Sequence, residues 1–282
     1  DVCSSDLGLS NSETPVEPQS PRGRVADLRR TMNEVGLSDV PIVMAGGVWR
    51  LDEWEDWIED PDLAPVAFQF GTRPLLTQES PIPDVWKKKL PTLMPGDVLL
   101  QRFSPTGFYS SAVRNTFLDG LEARSQRQIG YSLAPEGEQV AELVVGTRGR
   151  KIFVTSDNKT RAEQWIASGY TEGLRTPDST MVFTTPQEAR QIHKDQVGCM
   201  GCLSQCRFSN WSQGESGSTG RKPDPRSFCI QKTLQAIAHG DPPEDHLMFA
   251  GHNAYRFGQD DWYANGFVPT VKQLVERIAS GQ

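Results

Sequence analysis

Two stretches decide the fold class: Pro41-Ile42-Val43-Met44-Ala45-Gly46-Gly47, and the run from Ala64 that ends Gln69-Phe70-Gly71-Thr72-Arg73. Each is an apolar segment of strand length closed by glycine; the second is interrupted only by Pro65. Between them Leu51 to Ile58 carries the spacing of a short amphipathic helix, with Trp49 just before it and Trp54 and Trp57 inside it. Strand, helix and strand within about 30 residues form a βαβ unit, which implies parallel pairing and a right-handed crossover. Near-continuous apolar strands fit a parallel sheet covered on both faces. The class read from this is α/β.

Outward from that unit, residues 8–23 are rich in Ser, Pro and Glu and read as a surface loop. From Gly23 a helical period begins in Val25, Leu28, Met32 and Val35, with Gly36 as its stop. Downstream, a helix is predicted from Ala112 to Leu121, and a strand pair over Val140–Val145 and Lys151–Val154 with its turn at Gly146–Gly149. Ser156 and Asp157 are suitable N-caps for a helix bearing Ala162, Trp165 and Ile166 and ended by Gly169. Thr185-Pro186-Gln187-Glu188 combines a cap, a proline at the first helical position and a capping-box acid. Trp211 to Asp224 reads as a Ser/Gly-rich mobile loop, and a last helix is predicted from Val271 to Ile278 after Pro269-Thr270. No internal repeat is evident.

Composition narrows the function classes. The 282 residues carry 29 Lys+Arg against 36 Asp+Glu, a formal charge of −7, which argues against a general nucleic-acid binder. At 37% hydrophobic residues the chain is too apolar for disorder, and no run approaches the roughly 20 apolar residues of a membrane span. No signal-peptide pattern is present, so the expected setting is cytoplasmic, with neither membrane nor nucleic acid as a partner.

The glycine turns carry the chemistry. Ala45-Gly46-Gly47 and Gln69-Phe70-Gly71-Thr72 each follow a predicted strand at its carboxyl end. Glycine lets backbone N–H groups approach phosphate oxygens closely, and Thr72 and Arg73 add a hydroxyl donor and a positive charge. Taken together, and with Thr77-Gln78-Glu79-Ser80, these segments resemble the nitronate monooxygenase (2-nitropropane dioxygenase) family. The resemblance covers roughly residues 24–110. It implies a flavin-dependent TIM barrel whose seventh and eighth strands are these two, with Gly46 and Gly47 approaching the FMN phosphate and Gln69, Phe70, Gly71 and Thr72 wrapping its other side. Ser104-Pro105-Thr106-Gly107 is similar to a turn the family has beyond the barrel, and the tail from Phe249-Ala250-Gly251 to Ile278 resembles the ends of some longer members. The fold expected from it is the C-terminal portion of a (β/α)8 barrel over residues 8–110, followed by an α+β extension over 111–282.

A second constellation lies in that extension. Cys199, Cys202 and Cys206 have the spacing C-x2-C-x3-C, and Cys229 follows after 22 intervening residues. Four thiolates suit an iron–sulfur cluster or a structural zinc equally, and redox-active free thiols are a third reading. The run resembles the cluster-binding cysteines of the dienoyl-CoA reductase and trimethylamine dehydrogenase family, which implies a four-iron four-sulfur cluster serving the flavin.

The family's catalytic His belongs to a Gly-His segment, and here the first His in the chain is His193. His193, His239, His246 and His252 therefore read as surface or capping residues, and no catalytic residue is assigned. Asp1-Val2-Cys3-Ser4-Ser5-Asp6-Leu7 resembles a sequencing-adapter sequence read in frame and is expected to be an artefact joined to a truncated gene. With only two barrel strands visible, weak or absent flavin binding is expected of this chain alone. In the intact enzyme the expected activity is oxidation of a small nitronate-like substrate, or use of NAD(P)H, through FMN. A flavin-dependent enoyl reductase is one alternative, and a non-catalytic metal-bearing interaction or electron-transfer module is another.

Overall fold

Helix-forming periodicity in the first described segment produces a helix that opens a small α/β arrangement. The computed structural model describes residues 21–101, 103–107, 109–203, 206–209 and 223–282. Residues 1–7, most of the loop expected at 8–23 and most of the Ser/Gly-rich stretch at 211–224 lie outside the described residues. In chain order the elements are α1 (Pro21–Glu34), β1 (Ile42–Ala45), α2 (Glu55–Ile58), β2 (Val66–Gln69), α3 (Asp84–Lys89), β3 (Val98–Gln101) and β4 (Ser110–Val113). They continue with α4 (Thr116–Gln126), β5 (Gln128–Gly130), β6 (Ala141–Val145), β7 (Arg150–Val154), α5 (Ser156–Ala167), β8 (Glu172–Arg175), β9 (Thr180–Thr184) and α6 (Pro186–Val197). The last two are α7 (Ile230–Ala238) and α8 (Val271–Ala279). No helix among the described residues is long and apolar enough to cross a membrane.

The chain forms two compact units. The first is drawn from Asp1–Arg102, Phe108–Asn115 and Ala236–Gln282, the second from Phe103–Gly107 and Thr116–Gln235. The architecture is mixed α/β with small separate sheets: β1-β2, β3-β4, β5-β9-β8 and β6-β7. No closed barrel is formed among the described residues.

In the first unit β1 and β2 pair in parallel, Ile42 opposite Val66 through Ala45 opposite Gln69, as the βαβ reading requires. Val25 from α1 is fully buried with Ile42, Met44 and Leu63, and Leu28, Met32, Trp54, Trp57 and Phe68 pack around them. Each fully buried aliphatic contributes about 2 kcal/mol relative to exposure. The expectation that both sheet faces are covered does not hold for these residues, because Val43 remains 50% exposed. The helices pack on one side only, and a two-strand sheet has no further strand to bring cover to the other. Val35 lies beyond the end of α1 and is exposed, so it leaves the apolar face.

Arg29, by contrast, is 2% exposed. Its guanidinium donates to four backbone carbonyls: Leu63 at 3.2 Å, Ser38 at 3.1 Å, Val40 at 3.0 Å and Pro65 at 2.7 Å. Those carbonyls sit just before β1 and just before β2. The Pro65 carbonyl also accepts from the Ile42 amide at 3.0 Å. One cation thus joins α1 to the amino-terminal ends of both strands.

A second core of the same unit gathers Trp49, Leu76, Trp86, Leu90, Phe257 and Tyr263. Trp49 meets Phe257 edge-on at 4.9 Å between ring centroids, and Phe257 meets Tyr263 at 4.9 Å. Edge-to-face contacts of this kind add about 1 kcal/mol to the burial of the rings. They bind the tail after Ala236 to the segment following β1.

From β4 onward the structure corrects two element boundaries and one negative reading. The helix expected from Ala112 starts at Thr116, because Ser110–Val113 pairs with β3 instead. The cap of α5 is Thr155, whose hydroxyl accepts from the Asn158 amide at 3.3 Å, one residue before the two candidates. And there is an internal repeat: β6-β7-α5 is followed by β8-β9-α6, two successive ββα units. β7 and β9 are each five residues and α5 and α6 each twelve, with threonine caps at Thr155 and Thr185. Just before β7 and β9, Gly149 and Ser179 share left-handed backbone, φ 61° and 64°. The α6 capping box is present in full. The shared core is Ile129, Leu143, Ile152, Val154, Ala162, Met181 and Phe183.

Replacing Arg29 by Met keeps the stem and removes the donors, leaving buried carbonyls without partners. The expected loss is about 3 kcal/mol of unfolding free energy. Exposed Arg30→Met should cost less than about 0.5 kcal/mol. Urea unfolding followed by tryptophan fluorescence measures both, and equal midpoints for the two variants would refute the role given to Arg29.

Candidate functional site

Because β1 and β2 run in parallel with Ala45 opposite Gln69, the turns that follow them emerge side by side in the first unit. Gly46 and Gly47 have φ of 85° and 69°, the left-handed region in which any side chain is strained. This pair turns the chain sharply at the strand end. Gly71 is different: a Cβ there would meet nothing within 4 Å. The fold itself gives no steric reason for glycine at 71, whereas a group approaching that backbone would.

The polar groups of the turns are partly engaged by the tail. The Asn253 side-chain amide donates to the Gly47 carbonyl at 2.8 Å, and the Gly251 amide donates to the Thr72 hydroxyl oxygen at 2.9 Å. The amides of Gly47, Gly71 and Thr72 donate to no acceptor among the described residues. The Thr72 hydroxyl, having accepted one hydrogen bond, still has its own proton to donate. What the paired turns offer is therefore a set of donors, the chemistry that holds an anion. The motif named Ala45, Gly46, Gly47, Gln69, Phe70, Gly71 and Thr72, and the register brings the two groups together. Gly251 and Asn253 were missed as contributors, since nothing local in the sequence marks a tail residue as the partner of a distant turn.

Arg73 does not supply the charge expected of it at the turn. It is 1% exposed and donates from Nη1 to the Trp49 carbonyl at 2.6 Å and the Gln282 carbonyl at 3.2 Å. Its Nε donates to the Tyr263 hydroxyl at 3.3 Å, and its guanidinium lies 5.3 and 5.7 Å from the Trp49 and Trp262 ring centres. Burial pushes the Tyr263 phenol up, against the nearby Arg73 charge. Arg73 is thus a core cation held by carbonyls and aromatic faces.

The four cysteines all belong to the second unit. Cys202 is exposed, Cys199 and Cys229 are half-buried, and Cys206 is buried. The Ser209 hydroxyl donates to the Cys199 sulfur at 2.7 Å and lies 4.0 Å from the Cys206 sulfur. Cys206 and Cys229 share an apolar cluster with Ile192, Phe208 and Leu203. Burial pushes the Cys229 thiol up, and the charges of Asp195 and Cys202 add to this against backbone hydrogen bonds at Lys232 and Gln231. The thiols occupy one neighbourhood. Yet among the described residues no three His, Cys, Asp or Glu side chains converge closely enough to hold a metal ion. A cluster or zinc would have to draw the thiolates together.

The segment leading to Cys229 is tied down by Arg226. It pairs with Asp224 through Nε and Nη2 at 2.9 Å each, with Asp178 at 2.8 Å and with the Gln128 side chain at 3.0 Å. Arg124 adds a hydrogen bond to the Ser227 carbonyl at 2.7 Å. The Ser104–Gly107 turn also lies here, its Pro105 carbonyl accepting from the Arg207 amide at 2.8 Å next to Cys206. Of the four histidines, His193 and His239 are exposed, and His246 lies 3.4 Å from Asp241. Burial lowers the pKa of His252.

Burial raises the Asp178 carboxyl, but hydrogen bonds from Thr176 and Arg226, the Arg226 charge and a hydrogen bond from Thr180 outweigh it and hold the pKa at about 2. A depressed carboxylate contributes stability that is fully present above its ordinary value of 3.8 and is lost as pH falls through about 2. Asp178→Asn should remove that acid-dependent component, so the pH slope of the urea midpoint between those values flattens; an unchanged slope would sink the assignment. For the thiols, alkylation mapped by mass spectrometry should modify Cys202 first and Cys206 and Cys229 last. Equal rates at all four would contradict the burial pattern.

Compared with known proteins, the chain finds no counterpart: no protein-family model, no curated protein and no solved structure matches it.

Proposed function

We propose that this chain carries the phosphate-holding part of an FMN-dependent oxidoreductase resembling nitronate monooxygenase, built on the barrel strands that β1 and β2 would represent. The observation that supports it is the donor-rich pair of turns at the ends of two parallel strands, with a glycine at 71 that the fold does not itself require. The amides of Gly47, Gly71 and Thr72 and the Thr72 hydroxyl are suited to hold phosphate oxygens. Asn253 and Gly251 keep the turns in the shape that presents those donors. When bound, FMN supplies electron transfer between a small nitronate-like substrate or NAD(P)H and an acceptor, and the protein's part is to place and orient it. A flavin-dependent enoyl reductase would use the same turns, so the substrate is set by residues other than these.

The cysteine neighbourhood favours a second reading alongside the first. A four-iron four-sulfur cluster or a zinc ion drawn onto Cys199, Cys202, Cys206 and Cys229 would make the second unit an electron-transfer or interaction module. Its residues share one region without forming a ready-made site, so no step is routed through it.

Flavin content of the protein purified from its complete gene tests the first reading. FMN should be released in stoichiometric amount on denaturation. Gly71→Val should weaken FMN binding at least tenfold with the unfolding midpoint little changed, because a Cβ at this position meets no protein atom within 4 Å. Adding Gly46→Val should abolish it. A colourless protein, or flavin retained in both variants, overturns the proposal; iron, sulfide and zinc assays on the same preparation decide the second reading.

A further inference from the structure

A cleft of about 590 Å³ lies within the second unit, bounded by the β6–β7 turn, by β8 and by the first half of α6. Its volume falls in the ordinary range for small-molecule sites, about 300–1,000 Å³. The turn is shaped by Gly146 and Gly149, both at positive φ. The Gly146 amide donates to the Thr171 carbonyl at 3.0 Å, and the Thr147 amide donates to the Glu172 carboxylate at 3.2 Å. These bonds hold the turn against the start of β8. Val145, Leu174, Pro186 and Ala189 give the cleft an apolar wall.

Three arginines, Arg148, Arg150 and Arg190, line it against a single acid, Glu172. All three are exposed, and none of their side chains has a hydrogen-bond or ion-pair partner among the described residues. In contrast, Arg22, Arg50, Arg226 and Arg256 are each paired with a carboxylate. A chain with formal charge −7 therefore keeps three unpaired guanidinium groups around one concave surface. Guanidinium groups are planar donor forks matched to phosphate and carboxylate oxygens. Glu172, engaged by Thr147, neutralises one charge and leaves a net excess of two.

We propose that this cleft binds an organic phosphate: a small molecule with at least two negative charges and an apolar or aromatic body. The charged end sits among Arg148, Arg150 and Arg190, and the body lies on the wall formed by Leu174 and Ala189. The site stands in the second unit and does not depend on the flavin reading of the first.

Adenosine diphosphate, adenosine and inorganic pyrophosphate are suitable probes for calorimetric titration of the full chain at low and moderate salt. ADP should bind, pyrophosphate more weakly, and adenosine not measurably. Binding of ADP should weaken as salt rises. Arg148→Ala with Arg190→Ala should weaken ADP binding at least tenfold. Because the two side chains hold no other part of the protein, the double variant should keep its unfolding midpoint, which separates loss of binding from loss of fold. Absence of ADP binding at millimolar concentration, equal binding of adenosine, or ADP binding unchanged in the double variant would each overturn the proposal.

Discussion

The parallel strand pair of the first unit depends on one buried cation. Arg29 carries a full charge into a site that water barely reaches, where an uncompensated charge would be prohibitive. It is tolerated because four carbonyls converge on it, and they converge only if α1, the approach to β1 and the approach to β2 are all in place. The constraint runs both ways. Short strands of four residues have little pairing energy of their own, and a parallel pair is joined only through a long crossover. By joining both strand entrances, Arg29 supports the register. The register in turn brings Ala45 beside Gln69 and the two glycine turns beside each other.

The second unit solves a different problem with a repeated device. Each ββα unit alone has a two-stranded hairpin and one helix, too little to bury a core. Two in succession, with β5 added to the edge of β9, share Ile152, Met181 and Phe183 in one interior. The hairpins are not identical: four residues separate Val145 from Arg150, and five separate Arg175 from Met181. The shorter turn is glycine-rich and lines the arginine cleft. The longer one carries Asp178, which anchors Arg226 and with it the segment before Cys229. The two turns thus differ in length and in what they engage, although the ββα frame is the same.

Much of this was legible in the amino-acid sequence. The helix around Val25 and Leu28, the parallel βαβ unit, the hairpin at Gly146–Gly149, the capping box at Thr185 and the last helix all rest on local periodicity or local turn chemistry. What escaped has a common physical cause, dependence on distant partners. Nothing in the sequence marks Arg29 as buried, and Arg73 reads as a charge for the turn, because burial of an arginine is decided by carbonyls that other segments bring. Ala112 and Val113 read as the start of a helix because only pairing with β3 makes them part of a strand. The ββα repeat shares caps, lengths and backbone turns but few residue identities, so comparison of residues alone does not expose it. At the candidate site the turn residues were legible, and the tail groups that hold them were not.

If the turns hold a ligand as proposed, those tail groups bear on its chemistry. Asn253 takes up the Gly47 carbonyl, and Gly251 takes up a lone pair of the Thr72 hydroxyl. Both interactions remove acceptors from the mouth of the turns and leave donors. A cation or a hydrogen-bond donor arriving there would find few oxygens to coordinate it; an anion would find the unengaged amides of Gly47, Gly71 and Thr72. Because the holding groups belong to the folded tail, their ordering cost is met on folding, before any ligand arrives. Preorganisation of this kind raises affinity without adding a contact. On the phosphate-holding role proposed for the turns, the tail packed on Trp49 would contribute to anion binding as much as the glycines themselves.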